Sequence, residues 1–102
     1  MDNKINLDEE SVNFWIPHNA INFNDSRNYK LFAHSSSEGG ILIVKDSEKK
    51  LKAVYVKIGV GKKEVSVDVS SLEKENRHMV TLTWKEGSIN LYLNGTLSDS
   101  TN

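Results

Sequence analysis

From Arg77 to Gly95 the chain alternates apolar and polar positions almost without a break. Val80, Leu82 and Trp84 interleave with Met79, Thr81 and Thr83; Ile89, Leu91 and Leu93 interleave with Asn90, Tyr92 and Asn94. A period of two buries one set of side chains and leaves the other wet. Lys85-Glu86-Gly87-Ser88 separates the two runs as a short hairpin loop. Asn94-Gly95 is the strongest short turn signal in the chain. The stretch predicts strand, turn, strand, turn.

The same period recurs upstream. Val12, Phe14 and Ile16 share a face, with Trp15 on the other, and Pro17 ends the run because it has no N–H to pair. His18 to Asn28 is rich in Asn, Asp and Ser and reads as a long loop. Tyr29, Leu31 and Ala33 alternate with Lys30, Phe32 and His34. Ile41-Leu42-Ile43-Val44 is apolar at every position and calls for cover on both faces. Leu51, Ala53 and Tyr55 alternate with Val54, Val56 and Ile58, and the second set is read as the better buried. Glu64 to Val69 alternates cleanly, and Ser70 with Glu73 fits a capping box for one helical turn. Residues 1–10 form an edge strand through Ile5 and Leu7 or a frayed end, and Thr96 to Asn102 trails off polar. About seven short strands between Gly, Asn, Asp and Ser turns predict an all-β, antiparallel β-sandwich. Nothing divides residues 1–102, so one domain is expected.

Composition removes some function classes. Net charge is −1, which argues against nucleic acid as a partner. With no cysteine, neither a disulfide framework nor a thiolate zinc site is possible. No apolar run reaches membrane-spanning length, and the polar, acidic start is unlike a signal peptide.

The residues also carry a likeness. His78, Val80, Thr83, Trp84, Leu91, Tyr92, Asn94 and Gly95 stand in the register of a His-x-Val, Thr-Trp, Leu-Tyr-x-Asn-Gly signature. Phe14-Trp15-Ile16, Leu31-Phe32-Ala33-His34 and Gly39-Gly40-Ile41 match its earlier strands. In these the chain resembles the laminin-G-like, concanavalin-A-like jelly-roll family, and the lectin-like domain of clostridial neurotoxins shares the Phe-Trp-Ile and Tyr-x-Asn-Gly features. Arg77 stands where that family usually has Trp, and the family continues with more strands after Asn94-Gly95. The resemblance therefore implies a shortened jelly roll. It also implies a non-catalytic recognition module, binding carbohydrate or serving cell-surface adhesion, outside the cell or on its surface. The alternative is a protein–protein or self-assembly module that pairs with a second copy or with the rest of a longer chain.

Candidate chemistry is sparse. Glucanases on this fold place acid and nucleophile on one strand as Glu-x-Asp-x-Glu, and no such run exists. Glu73 and Glu75, the nearest pair, lie in a charged loop. His18, His34 and His78 fall on different elements, so no metal site is expected from them. Gly59-Val60-Gly61 is a hairpin turn with no helix after it, so it is no dinucleotide fingerprint. Calcium, which many family members carry, has its best ligands in Asn24 and Asp25, with Asn22 and Asn28 in the same loop. Asn24-Asp25-Ser26 and Asn94-Gly95-Thr96 also match the N-glycosylation acceptor pattern. An aromatic plane packs well on the C–H face of a sugar. Trp15 and Trp84 read as core, which leaves Tyr55, Tyr92 and the adjoining Asn94 as candidate ligand contacts.

Overall fold

The structure, a computed structural model, describes residues 9–85 and 87–101. Ile5, Leu7 and Glu86 lie outside the described residues. Among the described residues eight strands form: β1 (Glu9–Ile16), β2 (Tyr29–Ser36), β3 (Gly39–Lys45), β4 (Lys50–Lys57), β5 (Gly61–Asp68), β6 (His78–Lys85), β7 (Ser88–Leu93) and β8 (Thr96–Thr101). They make two antiparallel four-stranded sheets, in the orders β1-β6-β7-β8 and β2-β3-β4-β5. The fold is the expected all-β sandwich.

The core lies between the two sheets. Val80, Leu82, Trp84, Ile89 and Leu91 come from one; Ile41, Ile43, Leu51, Ala53, Tyr55 and Val65 come from the other. Two aromatic pairs bridge the layers, Phe14 with Phe32 at 6.4 Å between centroids and Tyr55 with Trp84 at 6.5 Å. On the edge opposite β1 and β2, Asp99 Oδ2 of β8 accepts the Ser66 N–H of β5 at 3.0 Å. That carboxylate satisfies a donor which an edge strand would otherwise leave open.

The alternation of β6 and β7 holds as expected, and so does the Asn94-Gly95 turn. Asn94 (φ 53°) and Gly95 (φ 85°) are both left-handed, as a two-residue type I′ hairpin requires. Leu93 pairs with Thr96 across it.

Other expectations are corrected. Tyr55 belongs to the buried set of β4 and is 0% exposed, while Val54 and Val56 face outward. Both faces of β4 are apolar, so periodicity alone does not say which is inner. A register shift between Lys30 and Phe32 breaks the alternation of β2, placing Phe32 opposite Ile43 and Ala33 opposite Leu42. Residues 96–101 do not trail off but complete a sheet as β8. Residues 70–76 form isolated turns, not a helical one; the Ser70 N–H is taken by Asp68 Oδ1 at 2.8 Å. The loop from His18 to Asn28 is as expected, yet it sends Ile21 and Phe23 into the core.

Candidate ligand-binding face

Alternation that buries Val12, Phe14 and Ile16 turns Ser11, Asn13 and Trp15 outward on β1. The same logic turns Met79, Thr81 and Thr83 outward on β6, and Asn90 and Tyr92 on β7. Cross-strand register gathers them into rows: Trp15 beside Met79, Asn13 beside Thr81 beside Tyr92 beside Leu97, and Ser11 beside Thr83 beside Asn90. The result is an outer face with aromatic and apolar groups at one end and neutral hydroxyls and amides across the middle.

Trp15 is 55% exposed, against the expectation that it is core. The signal was present in the sequence: it is the odd residue in the Val12, Phe14, Ile16 alternation. The Arg77 guanidinium lies 5.1 Å from the Trp15 ring centroid, a cation–π contact that holds the indole in place. Arg77 thus does not replace a core anchor; it backs an exposed ring. Strand spacing and rise put Tyr92 roughly 12 Å from Trp15. Two polar pairs lie along the face: Thr81 Oγ1 donates to Asn13 Oδ1 and Asn90 Nδ2 donates to Thr83 Oγ1, both at 3.3 Å. Toward the far end the surface dips into a depression of about 470 Å³ lined by Ser11, Thr83, Ser88 and Asn90. Glu9 and Lys85, 3.9 Å apart, close it off.

The expected site residues separate. Tyr92 is half-buried on the outer face, beside Leu97. Tyr55 is sealed in the core and offers no ring to a ligand. Asn94 is committed to structure. Its Oδ1 accepts the Met79 N–H at 2.8 Å, and its Nδ2 donates to His78 Nδ1 at 3.1 Å. That assigns the proton to Nε2 of His78, which donates to the Glu73 carbonyl at 2.9 Å. His78 is therefore a buried strut, packed edge-on against Phe23 at 5.2 Å.

Asn24 and Asp25 sit in the loop before β2, and Asp25 already has a cation. Lys45, 0% exposed, reaches from β3 and donates from Nζ to Asp25 Oδ1 (2.7 Å), Asp25 O (2.6 Å) and Arg27 O (3.0 Å). Tyr29 donates its hydroxyl to Asp25 Oδ2 at 2.9 Å, and its ring centroid lies 5.3 Å from Nζ. These are the oxygens a calcium ion would seek. A divalent ion there would face an ammonium at contact distance, so the residues do not fit calcium. The hydrogen bond from Lys45 holds the Asp25 carboxyl down to about 2, aided by the Arg27 N–H and Tyr29 against partial burial. Among the described residues, no three His, Asp or Glu side chains gather as a metal site. His18, Glu73 and Glu75 are exposed. No helix of the described residues is long and apolar enough to cross a membrane.

No protein-family model matches the chain, and no curated protein matches it. Among solved structures, the binding domain of botulinum neurotoxin serotype D shares its fold, with a TM-score of 0.74 at 20% identity. The match covers 93% of this chain and 24% of that chain, so this chain spans less than a quarter of its neighbour's length.

Proposed function

We propose that the chain is a non-catalytic recognition module of lectin-like, jelly-roll type that binds carbohydrate on the outer face of the β1-β6-β7-β8 sheet. The observation that carries this reading is the half-exposed Trp15, set in one face with Tyr92 across a lane of Asn13, Thr81, Thr83 and Asn90. Sugar rings present apolar C–H faces to aromatic planes and hydroxyls to amides and alcohols, which is the chemistry this face offers. The separation of the aromatic rings suits a short oligosaccharide better than a single sugar. Formal charge stays at the two ends, in Arg77 and in the Glu9–Lys85 pair, which favours a neutral glycan. The fold is shared with a toxin's binding domain, which agrees with recognition rather than turnover. A second reading, a protein–protein or self-assembly module, is favoured by the apolar outer face of the other sheet.

The test is a glycan array followed by calorimetry on any retained neutral oligosaccharide. Trp15→Ala and Tyr92→Ala should each weaken binding about tenfold or more, a loss of about 1.4 kcal/mol, with the thermal midpoint preserved. Binding should survive a calcium chelator. No retained glycan, or binding indifferent to both substitutions, refutes the proposal.

A further inference from the structure

The polar lane on the outer face of β1-β6-β7-β8 has two unlike ends. Trp15 marks one, an exposed ring backed by Arg77. Six residues away along β1, roughly 20 Å at the rise of a strand, the row of Glu9, Lys85 and Ser88 marks the other. The depression of about 470 Å³ lies at this second end and is within the size range of small-molecule sites. Its middle is neutral. Ser11, Thr83 and Asn90 share one row, Asn90 Nδ2 donates to Thr83 Oγ1 at 3.3 Å, and Ser88 adds a hydroxyl. Its rim is charged. Glu9 and Lys85 meet there, and Glu10 brings a second carboxylate. At 3.9 Å, Glu9 Oε2 and Lys85 Nζ form an ion pair but not a hydrogen bond. Each therefore keeps hydrogen-bonding capacity for a third group.

We propose that the depression is a terminal subsite, which takes the non-reducing end ring of the oligosaccharide that stacks on Trp15. This rests on the carbohydrate reading above and adds to it that a chain end, not a chain interior, is recognised. An interior sugar ring gives up one hydroxyl to the next linkage; the end ring keeps it. A hydroxyl both donates and accepts, so it can donate to the Glu9 carboxylate and accept from the Lys85 ammonium. Hydrogen bonds to charged groups are the stronger kind. A linkage oxygen in the same place only accepts. A chain that ran on past this row would also cover both charges without replacing their water, which is costly. On a glycoconjugate the reducing end is joined to its carrier, so the free end is the non-reducing one. Two carboxylates against one ammonium repel an end ring that is itself acidic. The ligand class is therefore a neutral oligosaccharide with an uncapped end.

Calorimetry on the whole chain tests this with neutral linear oligosaccharides of glucose, galactose, mannose and N-acetylhexosamine. Each is used in three forms: free at the non-reducing end, O-methylated on that end ring, and capped there with glucuronic acid. The free form should bind at least about tenfold more tightly than either capped form. Glu9→Lys leaves the rim with one carboxylate and two cations. Glu9 is exposed and its surface ion pair adds little stability, so the melting midpoint should hold. This variant should abolish or reverse the discrimination against the glucuronate cap while the methylated form stays weak. Trp15→Ala should weaken all three forms by a similar factor and keep their order. Capped forms that bind as well as the free one overturn the proposal, and so does a preference that Glu9→Lys does not move. If Trp15→Ala still weakens binding in those cases, the carbohydrate reading stands without the terminal subsite. If the native chain binds none of the oligosaccharides, both fall together.

Discussion

Replacing Lys45 by Met removes the cation from the Asp25 loop and keeps most of the apolar stem. The side chain is 0% exposed, and its ammonium contacts three oxygens at 2.6–3.0 Å. Breaking a buried ion pair by deleting one partner costs about 3–5 kcal/mol, because a charge is left stranded. Here the stranded group is Asp25, whose side chain keeps 27% of its surface in solvent. Water can rehydrate that carboxylate and the two carbonyls, so the loss should fall at the low end, about 3 kcal/mol. Asp25→Asn leaves the fully buried ammonium its two backbone carbonyl acceptors but no counter-charge, and should be the more damaging change. The assay is urea unfolding at pH 7 for both variants. For a domain of this length about 1 kcal/mol moves the melting midpoint by roughly 4–8 °C, so the effects are large. Acid titration adds a sign. The Asp25 carboxyl falls from 3.8 unfolded to about 2 folded. Its stabilisation is therefore present above about pH 4 and is lost as pH falls through about 2. Lys45→Met should remove that part of the acid loss. Calcium added to the native chain should leave the midpoint where it is. A Lys45→Met loss under about 1 kcal/mol, or Asp25→Asn proving the milder variant, refutes the reasoning.

Trp84 is 2% exposed and packs across the sandwich on Tyr55. Trp84→Ala should cost about 3–5 kcal/mol in denaturant unfolding. Asn94→Ala combines a left-handed φ of 53° with loss of the bonds to the Met79 N–H and His78 Nδ1, and should cost about 2 kcal/mol. Asn94→Gly relieves the φ strain alone, so it should recover only part of that loss by the same measurement. Asp68, lowered by the Ser70 hydroxyl and N–H, should add to acid sensitivity, and Asp68→Asn should flatten the stability profile below about pH 4.

Local chemistry alone determined much of this protein. The β6–β7 alternation, the placement of Trp15 on the face opposite Val12, Phe14 and Ile16, the Asn94-Gly95 hairpin and the sandwich class all follow from period-two side-chain geometry and from turn residues that tolerate positive φ, although Trp15 reads as core in the sequence and the fold leaves it exposed. Those are properties of neighbours in the chain, and they read directly. Three matters were decided only by the tertiary structure. The first is the inner face of β4, since both faces are apolar and only the packing of the two sheets, with Tyr55 against Trp84, puts Tyr55 inside. The second is the character of residues 96–101, polar by composition, which pair because β7 presents them an edge. The third is Asp25, which reads as a metal ligand or a turn former until the fold brings Lys45 to it from twenty residues away. The binding face depends on the same step: Trp15, Thr81 and Tyr92 are scattered along the chain, and only the pairing of β1 with β6 and β6 with β7 makes them one surface.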